Sequence, residues 1–86
     1  MTVTFYGLIT RYTGGEKSYT PEVHSTVRGL LDELGGYYGD DFIAFVLGNE
    51  TCIILINGKG IMLTGGLDSA LQAGDKIDIL PFVDAG

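Results

Sequence analysis

Cys52-Ile53-Ile54-Leu55-Ile56-Asn57-Gly58-Lys59 sets five consecutive apolar residues against an Asn-Gly pair. A run this short and this apolar, closed by a turn signal, predicts a buried strand. Asn-Gly is the dipeptide that best tolerates the backbone of a two-residue hairpin turn, so a return strand is expected over residues 61–63. C-terminal to this hairpin, Gly65-Gly66 and Gly74-Asp75 bracket residues 67–73, a stretch too short to hold a helix alone and expected as a single turn. Residues 77–80 then read as another strand. Pro81-Phe82-Val83-Asp84-Ala85-Gly86 shows no pairing pattern and is expected as a mobile tail, leaving residues 1–81 as one domain.

On the N-terminal side, residues 37–49 fit a strand or a short helix, with Phe42, Ile43, Phe45, Val46 and Leu47 between Asp40-Asp41 and Gly48-Asn49. Before them lies a clear helical pattern. Ser25 or Thr26 supplies a cap, and Val27, Leu30, Leu31 and Leu34 fall at i, i+3, i+4 and i+7. Burying four such side chains contributes roughly 6 to 12 kcal/mol before entropy, enough to anchor the helix on a sheet. Gly35-Gly36 is the expected stop, and Gly29 inside the helix costs about 1 kcal/mol relative to alanine unless a neighbour comes close there. Residues 2–8 alternate and predict a strand, Thr13-Gly14-Gly15-Glu16 is turn material, and residues 17–23 form a weaker strand whose Pro21 suits an edge. Two strands, a helix and several short strands make an α+β layout with a sheet covered on one face.

An 86-residue chain has little apolar material beyond what its core requires. Eleven acidic residues against five basic ones give a net charge of −6, which repels phosphate backbones and anionic lipid, so neither nucleic acid nor membrane is an expected partner. A single cysteine, Cys52, allows no intramolecular disulfide and no C-x-x-C metal site. Without a signal-like N-terminus or a long apolar stretch, the expected location is the cytoplasm.

Val3-Thr4-Phe5-Tyr6-Gly7 with Thr13-Gly14-Gly15, followed by Thr26-Val27-Arg28 and Leu30-Leu31-Asp32-Glu33-Leu34, resembles the opening half of molybdopterin synthase small subunits. The second half, with Ile54-Leu55-Ile56-Asn57-Gly58-Lys59, Gly66-Leu67-Asp68-Ser69-Ala70-Leu71 and Gly74-Asp75-Lys76-Ile77-Asp78-Ile79-Leu80-Pro81, is similar to that family's closing pattern. The resemblance implies a ubiquitin-like β-grasp, a mixed sheet packed on one main helix. It also implies a sulfur carrier rather than an enzyme, with no bound cofactor. An adenylating partner would use ATP to activate the carboxylate of Gly86, sulfur would replace the adenylate, and the thiocarboxylate would enter a molybdopterin synthase large subunit. Phe82, Val83, Asp84 and Ala85 would be the partner-binding arm. The family normally ends Gly-Gly, and Ala85 adds a methyl group that a tight activating tunnel would sense. The alternatives are a thiamine-type sulfur carrier and a ubiquitin-like modifier or interaction module.

Other chemistry-bearing residues have plainer readings. His24 has no serine or cysteine nucleophile paired with it in the sequence and is expected at the surface where the helix begins. Cys52 heads an apolar strand and is expected to pack as a small hydrophobe. Asp32, Glu33, Asp40 and Asp41 lack cation-loop spacing and are expected as a solvated surface. The five tyrosines are spread over the expected strands and loops, the basic residues are scattered and form no block beside them, and the tyrosines are expected to pack.

Overall fold

In the computed structural model, residues 1–48 and 52–81 are described. The expected tail, residues 82–86, lies outside them. The first strand, β1 (Thr2–Phe5), is shorter than its alternation predicts. Gly7 at φ +62° turns the chain out of the sheet into a 3-10 segment, Gly7–Arg11, which drives Ile9 into the core. The second strand, β2 (Ser18–Tyr19), also falls short of the expected residues 17–23. Pro21 is buried just beyond it and has no N–H with which to extend a ladder.

The helix α1 (Val27–Tyr38) begins where its cap predicts. Thr26 Oγ1 accepts the Gly29 N–H at 3.2 Å, and Val27, Leu30, Leu31 and Leu34 are all buried. The helix runs through Gly35-Gly36 instead of stopping there. A Cβ on Gly35 would lie 2.6 Å from Ile43 Cγ1, so this glycine marks a close approach to the next helix and not a terminus. The stop is Gly39, at φ +100°, whose N–H donates to the Gly35 carbonyl at 2.8 Å. Around Gly29 the close neighbour is the His24 ring, 3.2 Å from an added Cβ.

Residues 37–49, open between strand and helix in the sequence, contain α2 (Asp40–Leu47). Phe42 and Val46, one helical turn apart, point into the core, while Asp40 and Asp41 occupy the first turn, where carboxylates favour the helix dipole. β3 (Cys52–Ile56) is the strand predicted from its apolar run. Asn57 at φ +51° and Gly58 at φ +88° then make the tight turn into β4 (Lys59–Gly60). The return strand expected over 61–63 does not form. Pairing stops at Gly60, and a 3-10 turn over Ile61–Leu63 leaves Met62 and Leu63 87% and 85% exposed. A second such turn, Gly66–Asp68, precedes β5 (Lys76–Pro81).

The sheet order is β2-β1-β5-β3-β4, with β1 and β5 parallel and the other pairs antiparallel. Val3 lies opposite Ile77, which lies opposite Ile56; Phe5, Ile79 and Ile54 form the next row. These two rows face α1 and α2 and build the core with Leu30, Leu34 and Phe42. Phe5 and Phe42 meet edge to face at 5.8 Å. The main helix α1 and the shorter α2 together cover this face.

Candidate docking face and chain exit

The strand that leads toward the expected reactive end is the central one. β5 is hydrogen-bonded to β1 on one side and β3 on the other, and its final residue, Pro81, lies opposite Cys52. On the β1 side the Tyr6 N–H donates to the Ile79 carbonyl at 3.1 Å, one step beyond the named strand. Gly7 then passes so near Pro81 that a Cβ would sit 3.0 Å from the proline Cγ. Both the positive φ and this approach call for glycine. Pro81, the last described residue, therefore lies between Tyr6-Gly7 and Cys52. Gly86, Phe82, Val83, Asp84 and Ala85 themselves lie outside the described residues.

Alternation along the same strands creates a second face. Thr4, Asp78 and Leu55 form one row across β1, β5 and β3, and Leu80 opposite Ile53 forms the next. Ile53, Leu55 and Leu80 are half-buried without packing against the core, whereas their neighbours Cys52 and Ile56 do pack against it. Tyr6 is exposed at the edge of this face and donates its hydroxyl to Asp78 Oδ1 at 3.2 Å. Asp78 is thereby buried on the side of the sheet that no described helix covers. The result is an apolar and aromatic platform around one partnered carboxylate, adjoining the chain exit. Such a surface suits protein contact, because apolar side chains supply the area and the aspartate fixes register. On the far side of β3 an apolar groove of about 330 Å3 is lined by Val46, Leu47, Cys52, Ile61, Met62 and Leu67.

None of the candidate nucleophiles or bases assembles an active centre among the described residues. Cys52 is half-buried, and its thiol donates to the Phe45 carbonyl at 3.6 Å. His24 is not a free surface residue: its Nε2 lies 2.6 Å from Glu33 Oε1. Glu33 corrects the expectation of a solvated acidic surface. It also accepts the Tyr19 hydroxyl at 2.7 Å and the Glu22 N–H at 3.1 Å, tying the segment after β2 to α1. Partial burial pushes the Glu33 carboxyl upward, but the hydrogen bonds from His24, Tyr19 and the Glu22 N–H outweigh it and hold the group below its ordinary value. The same bond, with burial, pushes Tyr19 up to about 12. Asp32, Asp40 and Asp41 are exposed as expected. No group of three or more histidine, cysteine or acidic residues among the described residues is arranged to hold a metal ion, and no described helix is long and apolar enough to cross a membrane.

The open face was readable in principle. Thr4 and Tyr6 alternate with Val3 and Phe5, and Asp78 interrupts an otherwise apolar strand; those signals predict an uncovered side. The Glu33 hub left no such trace, because its partners are spread over residues 19–33 with no fixed spacing.

Comparison with known proteins agrees with this geometry. The model of the ThiS family matches residues 3–86. No curated protein sequence gives a significant match. Among solved structures, the chain is similar to the CysO antigen of Mycobacterium tuberculosis, at 25% identity and a TM-score of 0.84, over 95% of this chain and 98% of that one. It is similar to a chain of the BexX/CysO complex of Amycolatopsis orientalis, at 26% identity and 0.83, over 99% and 98%. It also resembles a chain in the complex of subunits 1 and 2 of molybdopterin-converting factor from Helicobacter pylori 26695, at 26% identity and 0.68, over 99% and 96%. Two of these three structures are complexes with a partner protein. With its mixed five-stranded sheet, its two helices and a family match over nearly its whole length, the chain is a ubiquitin-like β-grasp protein and belongs to the ThiS family of ubiquitin-like sulfur carriers.

Proposed function

We propose that this chain carries sulfur as a thiocarboxylate on the C-terminal carboxylate of Gly86 and delivers it for molybdopterin synthesis, while partner proteins perform the catalysis. A carboxylate oxygen of Gly86 attacks the α-phosphorus of ATP on an adenylating enzyme, and pyrophosphate leaves. A sulfide-equivalent nucleophile then attacks the acyl carbon and expels AMP. A glycine offers an unhindered carbonyl to both steps. Phe82, Val83, Asp84 and Ala85 serve as the arm that enters each partner, with Phe82 and Val83 as apolar anchors. Asp84 must be paired or desolvated on entry.

The observation that carries this reading is the position of β5. An arm joined at Pro81 extends from the sheet's central strand, held on both sides, so its base is as rigid as the core. The open face with Tyr6, Ile53 and Leu80 adjoins that base and gives a partner a surface to dock on while it handles the arm. Similarity to a chain of the Helicobacter pylori molybdopterin-converting factor complex supports a large-subunit acceptor. The higher TM-scores with CysO favour a second reading, in which the same thiocarboxylate serves a different acceptor.

The test is intact mass after incubation with the host's adenylating enzyme, ATP and a sulfur donor, beside a chain lacking Gly86. A gain equal to one oxygen exchanged for sulfur, absent from the deletion, is expected. No gain with an enzyme active on another carrier would overturn the proposal. The charged carrier is then offered to a molybdopterin synthase large subunit with its pterin precursor. Product formation supports the first reading, and a thiocarboxylate that persists supports the second.

A further inference from the structure

The turn that follows the first 3-10 segment and the C-terminal end of α1 enclose a shallow recess of about 380 Å3, lined by Tyr12, Thr13, Gly14, Glu16, Tyr37 and Tyr38. None of these residues belongs to the open sheet face. Tyr12 stacks one ring face on Phe45, at 4.6 Å between centroids and 22° between planes, and Phe45 does not line the recess. Tyr37 is 60% exposed, leans on Tyr19 at 5.0 Å and meets Tyr38 edge to face at 4.8 Å, while the Tyr38 ring is itself enclosed by Phe5, Tyr19 and Phe42 and offers mainly its hydroxyl. The Tyr38 hydroxyl donates to Glu16 Oε1 at 2.8 Å, while Glu16 Oε2 has no partner among the described residues. Burial first, and then Glu16, raise the Tyr38 hydroxyl well above its ordinary value, so it remains a neutral donor at physiological pH. Thr13 Oγ1 lies 2.6 Å from the Glu16 carbonyl and fixes the turn that presents this carboxylate.

A carboxylate with one free oxygen beside the rings of Tyr12 and Tyr37 suits a cation. The chain's own nearby cations leave it open, since Arg11 and Lys17 flank the turn in sequence but neither lines the recess. We propose that this recess seats an arginine side chain of a partner protein, with the guanidinium against the tyrosine rings and an N–H donated to Glu16. Arginine fits better than lysine because a planar guanidinium can lie on a ring while donating in its own plane, and it sheds water more readily than an ammonium. The net charge of −6 also selects a basic partner. This inference does not depend on the sulfur-carrier reading.

The probe is Nα-acetyl-L-arginine methylamide, titrated into the full 15N-labelled chain and followed by amide NMR. Saturable shifts are expected at residues 12–16 and 37–38. Tyr37→Leu, at an exposed position, is expected to weaken binding about two- to fivefold by removing one ring. Glu16→Gln keeps an acceptor for Tyr38 and is expected to weaken binding by a similar factor of about two to five by removing the charge. Unchanged spectra elsewhere verify that both variants are folded. The proposal is overturned by an absence of saturable shifts, by unchanged affinity in either variant, or by equal affinity for the lysine counterpart of the probe.

Discussion

The two faces of the sheet come from alternate residues of the same three strands, yet they have become different materials. Toward the helices, Val3-Ile77-Ile56 and Phe5-Ile79-Ile54 lie in rows, and Val3, Phe5, Ile54, Ile77 and Ile79 are buried. On the opposite face Thr4-Asp78-Leu55 and Leu80-Ile53 lie in rows, with apolar side chains half-buried and an aspartate held by Tyr6. Both faces carry branched aliphatic side chains, and the open face adds Thr4 and Asp78 to them. What separates them is cover: two helices complete one face, and the other waits for an external surface. Burial of apolar area stabilises the fold on the first, and on the second the same kind of area stays half-exposed, as suits a surface for protein contact.

The largest break in this contrast is expected from Phe42→Ala, which removes a fully buried ring against Phe5 and costs about 3 to 5 kcal/mol. Urea unfolding followed by circular dichroism measures it. Leu80→Ala on the open face is expected to cost about 1 kcal/mol or less, because half its contacts are missing already. Equal losses for the two variants would erase the distinction. Gly7→Ala comes next, at about 1 to 3 kcal/mol, because it combines a positive φ with a clash against Pro81. Amide shifts spreading along β5 would show that the exit is disturbed, and a silent spectrum would contradict the tight seat assigned to Pro81.

Tyr6→Phe is expected to cost about 1 kcal/mol through the lost bond to Asp78. A double-mutant cycle with Asp78→Ala, which removes the acceptor, isolates the pair, and zero coupling would show that the bond does not organise the face. The smallest expected effect is in pH dependence. Glu33 titrates below its ordinary value near 4.5 in the folded chain, so its contribution is fully present above that value and is lost as pH falls through the lower, folded-state value. Glu33→Gln should flatten the acid limb of stability below about pH 4.5. An unchanged acid limb would mean that the His24, Tyr19 and Glu22 contacts do not favour the charged form.

Local signals were legible wherever a residue's own chemistry dominates. The Thr26 cap, the Asn57-Gly58 turn, the β3 run and the heptad-like spacing in α1 all stand in the structure where the sequence predicts them. Errors arose where a distant partner decides. Gly35 reads as a terminator from its neighbours alone, but Ile43 uses its missing Cβ as a contact point, and the helix continues. Residues 61–63 are apolar enough for a strand, and β3 runs on past its pairing with Gly60 through Ile54, Ile53 and Cys52, yet the chain turns away after Gly60 into a 3-10 turn closed by the Thr64 N–H on the Ile61 carbonyl, and Met62 and Leu63 turn outward. The helix-or-strand ambiguity of residues 37–49 is settled over Asp40–Leu47 by Phe42 and Val46 meeting the core at helical spacing. Of the candidate site, the residues before Pro81 could be placed by alternation, whereas the arm's assignment rests on the family resemblance, since glycine and alanine at a chain end carry no geometric signal of their own.

The parallel pairing of β1 with β5 also sets the order of folding. Residue 2 lies opposite residue 76, and Tyr6 and Asp78 bond across 72 positions of sequence. The hairpins of β1 with β2 and of β3 with β4 close short loops and can form early, but they remain two separate ribbons until β5 enters between them. That insertion is the slow, long-range event, and it alone creates the anchored base at Pro81. A partly folded chain thus has no fixed base at Pro81, and the closing of the sheet is what separates a finished chain from an unfinished one.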